Sequence, residues 1–173
     1  VIRCNTNEVI TIEVPYNNIA ASAFSNCTNV TVKLSEHTEI VGYSAFKGSN
    51  VFNCSLLNLA EATNGFYMAN IDEITVNALF SNMFGFSSIR KVNLVGVETV
   101  PSNCFDAARN LQEINLDEVT NVERYAFNRA TLLLLNAEWV NRLTSIGEYA
   151  FSGDSSARGP SFDGEIIVNS TLF

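Results

Sequence analysis

Side chains that usually do chemistry are scarce in this chain. There is one histidine, His37, among 173 residues. It lies in Ser35-Glu36-His37-Thr38-Glu39. No companion Ser/Asp or Cys/His arrangement stands ready to make a nucleophile with it. A metal site built on His37, Glu36 and Glu39 needs further ligands from elsewhere, and none is visible. His37 therefore reads as a solvated or half-buried turn residue. G-x-S-x-G, H-E-x-x-H, P-loop and G-x-G-x-x-G strings are all missing. The reading is non-enzymatic, with no cofactor and no metal.

Other absences narrow the class further. No apolar run approaches the eighteen or so residues that a membrane helix needs, so membrane insertion is not expected. Lys and Arg do not cluster, and the net charge is −8, which disfavours nucleic acid as a partner. No Cys-x-x-Cys pair occurs, which excludes a zinc ribbon or a dithiol redox motif. The sequence opens on Val1 with no signal peptide. We read it as a mature or cropped product, so that lack does not point to the cytoplasm.

What is present is apolar and periodic. Apolar residues make up 47% of the chain, enough for a sizeable core. Asn is frequent, at 22 residues, which suits many tight turns closed by side-chain-to-backbone hydrogen bonds. Seven phenylalanines fall in one register: Phe24, Phe46, Phe66, Phe84, Phe105, Phe127 and Phe151. Their spacings are 22, 20, 18, 21, 22 and 24. Each follows a mostly small residue, Ala23, Ala45, Gly65, Met83, Cys104, Ala126 or Ala150. Five positions earlier stand Ile19, Val41, Glu61, Leu79, Val100, Val122 and Ile146, where Glu61 alone is not apolar. A local distortion is expected there, with Ala60 or Ala62 turned inward instead.

Downstream of each Phe the pattern repeats as well. Val30, Val51, Ile71, Ile89, Leu111 and Leu132 follow by five or six residues. Just before them stand Asn29, Asn50, Asn70, Ser88, Asn110 and Thr131, a column suited to buried turns. Alternating pairs come next: Val32/Leu34, Cys54/Leu56, Ile74/Val76, Val92/Leu94, Ile114/Leu116 and Leu135/Ala137. Such alternation predicts short half-buried strands. Val9–Val14 and Ile166–Val168 read as strands too.

A unit of about 20 residues buries too little apolar surface to stand alone, but stacked units share one continuous core. The expectation is a mainly β repeat solenoid spanning residues 1–173 as a single domain of seven to eight turns. The seven Phe form its core ladder. After Phe151 the Gly/Ser-rich segment 152–161 should loop out, and Phe162 should take the place filled one turn earlier by Leu132.

The string from Leu111-Gln112-Glu113-Ile114-Asn115-Leu116 to Ala126-Phe127 resembles the BspA-like class of leucine-rich repeats. Ile146-Gly147-Glu148-Tyr149-Ala150-Phe151 is similar to that family's typical string, and the match runs from about residue 9 to residue 170. The resemblance implies a right-handed coil with one short parallel strand per turn and irregular or short helical turns opposite. It further implies secreted or cell-surface proteins of bacteria and protists, used in adhesion and protein binding.

Function then falls to the variable positions. Outward strand residues form the candidate partner-binding face: Lys33, Asn53, Ser55, Glu73, Thr75, Lys91, Asn93, Glu113, Asn115 and Asn136. Glu73, Lys91 and Glu113 alternate in sign on adjacent turns, which also reads as a cross-strand charge ladder. The ligand is a protein or a glycan, of unknown identity. Acidic pairs such as Asp72-Glu73, Asp117-Glu118 and Asp163/Glu165 sit in different repeats and read as solvated surface. Trp139 reads as packed in the solenoid wall, with an exposed binding anchor as the alternative.

Cys54 and Cys104 occupy core positions and read as free buried thiols. Cys4 and Cys27 lie about one turn apart, and either a disulfide or two free thiols fits them. Asn26, Asn53 and Asn169 are glycosylation candidates, whereas Asn29 belongs to the turn column. Neither end shows a polar cap. The chain is therefore read either as a segment of a longer array or as a unit that self-associates head to tail into a fibre.

Overall fold

A computed structural model describes residues 10–165. Strands are short because each turn of the coil gives only a few extended residues before the next bend. In chain order they are β1 (Ile10–Val14), β2 (Asn18–Ile19), β3 (Val30–Leu34), β4 (Ile40–Val41) and β5 (Asn50–Val51). β6 (Cys54–Leu56), β7 (Glu73–Val76), β8 (Lys91–Leu94), β9 (Thr99–Val100) and β10 (Glu113–Ile114) follow. The series ends with β11 (Asn121–Val122), β12 (Leu134–Leu135), β13 (Ser145–Ile146) and β14 (Ser161–Phe162). One helical turn, α1 (Ala137–Val140), lies between β12 and β13. Every strand pair is parallel, as a coil of about seven turns requires.

The Phe column runs along the axis as expected. Neighbouring rings from Phe24 to Phe151 stack with centroids 5.3–5.9 Å apart, and no pair is tilted by more than 19°. Phe46, Phe66, Phe84, Phe105 and Phe127 are fully buried. At one end the parallel stack stops. Phe151 is half-buried and meets Trp139 and Phe162 edge-on, each at 86°. Trp139 is packed in the wall, and its Nε1 donates to the Val119 carbonyl at 3.1 Å.

Backbone hydrogen bonds lock the turn around each ring. The Phe N–H donates to the carbonyl preceding the next Phe: Phe24 to Ala45, Phe105 to Ala126, Phe127 to Ala150. Residues two before and two after the Phe adopt positive φ, as at Ser22 and Asn26, Asn82 and Phe86, or Tyr125 and Arg129. Twelve residues other than glycine do so. That region disfavours L side chains, so the stack between turns must hold it in place. Three residues past each Phe from Phe24 to Phe127, a second small column fills the core: Cys27, Ser49, Ala69, Ser87, Ala108 and Ala130. Ser49 and Ser87 each donate a hydroxyl back to the Phe carbonyl, at 2.8 and 2.7 Å.

The expected distortion in the third repeat is present: of the two alanines, Ala62 turns inward, and Glu61 points out with its carboxylate accepting the Thr63 N–H at 2.7 Å. Several other sequence expectations need correction. Val51 pairs with Val32, not Val30. Leu133 is buried while Leu132 lies exposed, because the turn closes from the Leu133 N–H to the Ala130 carbonyl. Phe162 consequently aligns with Leu135. Ala137 is buried, but in α1 and not in a strand. Ala23 is exposed, unlike its equivalents. The Asn/Ser column is not buried: Asn50, Asn70 and Ser88 form a ladder along a half-open edge, linked at 2.8 Å per step.

The wide face of the coil is not one continuous sheet. β1, β3 and β5 make one, β6, β7, β8 and β10 a second, and β12 and β14 a third. On the opposite side β2 and β4 form one sheet, and β9, β11 and β13 another. The expected strands at Val9 and at Ile166–Val168 include residues outside those described, as does Cys4.

Candidate functional site: the strand face

The second sheet supplies the most regular surface. Glu73, Lys91 and Glu113 are in register on β7, β8 and β10, and so are Ser55, Thr75 and Asn93 on β6, β7 and β8. Lys91 Nζ lies 3.6 Å from Glu73 and 3.5 Å from Glu113. Alongside, Arg90 grips Asp72 through two nitrogens, at 2.9 and 3.2 Å. That hydrogen bonding holds the Asp72 carboxyl below its ordinary range and raises Arg90. Asn93 Nδ2 donates to Glu73 at 3.0 Å. Alternating charges across parallel strands thus give a flat, ordered polar patch. Exposed pairs of this kind add little to stability.

Other candidates are spoken for differently. Lys33 sits in the first sheet and pairs with Glu13 at 2.8 Å, away from the patch. Asn53 accepts the Glu73 N–H at 3.0 Å. Asn115 turns back onto Leu94, accepting its N–H at 2.6 Å and donating to its carbonyl at 2.9 Å. Asn136 is not a strand-face residue: it caps α1 by accepting from the Glu138 and Trp139 N–H groups. Of the glycosylation candidates, Asn26 and Asn53 are exposed, and Asn169 lies outside the described residues. Asn29 is half-buried.

His37 is exposed, 3.7 Å from Glu36. Among the described residues no group of three His, Cys, Asp or Glu could hold a metal ion. Nor does any described helix have the length and apolarity to cross a membrane. Cys54 and Cys104 are free thiols, but only Cys104 is fully buried and Cys54 is half-buried at its strand position, whereas Cys27 is disulfide-bonded. Burial pushes the Cys54 thiol up to about 12, and Cys104 higher still.

Two features of the surface were missed by sequence reasoning. On the Phe-turn side runs a groove in two stretches of about 460 and 430 Å³. Asn64, Asn82, Asn103, Tyr125 and Tyr149 line it, all at the positive-φ position before the Phe. Asn82 Nδ2 donates to Asn64, and the Tyr125 and Tyr149 rings stack at 5.1 Å. In its floor Arg129 pairs with Asp106 at 2.8 Å and with Asp154 at 3.2 Å, and covers the Phe86 ring. The recurrence of Asn or Tyr two residues before Phe was the available signal. The second feature is the break between β10 and β12, where a cavity of about 290 Å³ opens. Nothing in the strand pattern signalled it.

A family model for the BspA-type leucine-rich repeat region matches in six copies, over residues 3–95 and 64–158. The chain belongs to the BspA-type leucine-rich repeat family. The two matched stretches overlap, so together they cover nearly all of the coil. No curated protein and no solved structure matched the chain.

Proposed function

We propose that this BspA-type repeat chain is a non-enzymatic, extracellular or cell-surface adhesion module that binds a protein or glycan through its strand face. The observation that carries this reading is the in-register patch of Ser55, Glu73, Thr75, Lys91, Asn93 and Glu113 on one rigid sheet. A stacked sheet holds such residues at fixed spacing, so a partner meets them preorganised. The disulfide at Cys27 supports an oxidising compartment. Neither the family nor the site calls for a cofactor.

The test uses the purified chain against a glycan array and a panel of extracellular matrix proteins. Binding is expected, and Lys91→Glu with Asn93→Arg should reduce it at least tenfold. Tyr43→Ala, on the turn side, serves as the comparison and should leave binding intact. Binding that depends on Tyr43 and ignores Lys91 and Asn93 would overturn the assignment of the face.

A further inference from the structure

The cleft between β10 and β12 leaves backbone hydrogen-bonding groups facing each other without partners. In a parallel ladder, the N–H and C=O of one residue point to the same neighbouring strand, and those of the next residue point the other way. The Glu113 N–H donates to the Arg90 carbonyl, towards β8. The N–H and C=O of Ile114 therefore face β12. Across the gap, the Leu133 and Leu135 carbonyls accept from Ser161 and Asp163, towards β14. The N–H and C=O of Leu134 therefore face β10. Among the described residues no backbone hydrogen bond joins the two edges. Asn115 is diverted onto Leu94, and Asn136 is diverted into capping α1, so neither side chain closes the gap.

Apolar and polar side chains share the walls of the cleft, and its surroundings are acidic. Ile114, Leu116, Leu134, Leu135 and Trp139 line it, and Leu134 is 58% exposed. Asp117 lies at the rim, with Glu118 and Glu138 exposed nearby in sequence. None of these three carboxylates makes an ion pair among the described residues. Unpaired strand edges recruit extended chain, whose amides complete the ladder. Exposed Leu134 and half-buried Ile114 beside an acidic rim select alternating apolar and cationic side chains, because successive residues of an extended chain point to opposite sides.

We infer that this cleft is a docking site for an extended peptide segment that alternates apolar and Lys or Arg residues. The inference rests on the reading of the strand face as the partner-binding side. It adds to that reading the class of partner and the mode of contact, main-chain hydrogen bonding at Ile114 and Leu134.

The probe is a capped, fluorescent six-residue peptide of alternating Lys and Val, titrated against the whole chain. Saturable binding is expected. The same peptide with every second amide N-methylated should bind at least tenfold more weakly, and a Glu/Val version should not bind. Asp117→Lys should weaken binding severalfold and lower its salt dependence. Hydrogen exchange supplies the positional readout: the Ile114 and Leu134 amides should exchange fast in the free chain and slow on peptide addition. Equal binding of the N-methylated peptide, or no protection at those two amides, overturns the inference. So does protection of the same amides by concentrating the chain alone, which would mark the cleft as a contact between copies. If the cleft fails while Lys91→Glu with Asn93→Arg still abolishes partner capture, only this inference falls. Failure of both removes the strand-face reading as well.

Discussion

Phe105 sits at the centre of the ring column, with Phe84 and Phe127 stacked on either face at 5.5 and 5.3 Å. Removing its ring leaves a hole shared by three turns. Phe105→Ala should cost about 3–5 kcal/mol, read as a fall in the urea midpoint at unchanged slope. A second residue-scale prediction concerns the thiols. Only the thiolate reacts, and burial holds Cys54 and Cys104 protonated at neutral pH. Iodoacetamide at pH 8 should leave both unmodified in the native chain and label both in urea, with mass spectrometry as the readout. These core positions were legible because Phe and its small neighbour recur at near-constant spacing. The Glu61 position shows the limit. A one-residue shortening moved Ala62 into the core, and composition does not say which of two flanking alanines the backbone will turn inward. Leu132 against Leu133 is the same ambiguity within an all-leucine run.

At the scale of elements, the loop 152–160 is pinned by one carboxylate. Asp154 accepts from the Ser156 hydroxyl and N–H at 2.6 and 2.7 Å, from the Ala157 N–H at 3.2 Å, and from Arg129. These donors, with the Ser156 hydroxyl foremost, lower its pKa from 3.8 to about 2. A depressed carboxylate stabilises the fold above its unfolded pKa, and that contribution is lost as pH falls through the folded value. The Asp154 contribution should therefore be complete above about pH 4 and fade between about 4 and 2. An NMR titration should give Asp154 a midpoint near pH 2. Asp154→Asn should loosen the loop at neutral pH and leave no comparable change in that acid window. Sequence reasoning recognised this loop from its Gly and Ser content. It did not foresee the anchor, which depends on Arg129 one turn away in space and 25 residues away in sequence. The strand face divides in the same manner. Alternation revealed which strand residues point outward, yet a period-two pattern does not encode that Asn115 bonds back to Leu94 or that Asn136 caps α1.

Over the whole molecule, the coil ends its ring column in a way that bears on assembly. Trp139 and Phe162 meet Phe151 edge-on, so among the described residues the face-to-face stack does not continue past Phe151 in the same geometry. Light scattering of the purified chain should accordingly give a monomer mass that does not rise with concentration. A rising mass, or filaments in a micrograph, would favour the head-to-tail polymer. That the chain coils was evident from seven phenylalanines in register. How its described strands divide into five sheets was not, because hydrogen-bond pairing between turns is not written in the alternation of one strand.

The bonds that tie one turn to the next all run along the axis of the coil, from Phe24 to Ala45 and onward to Phe127 and Ala150. Tension applied between the two ends therefore loads a few of these bonds at a time instead of shearing a whole sheet at once. The coil should pay out like thread from a spool. Each released turn of 18–24 residues lengthens the chain by roughly 55–80 Å, from the reach of an extended residue less the height of the turn. A coil built this way yields one turn at a time and can rewind when slack, so it lengthens under load without coming apart all at once.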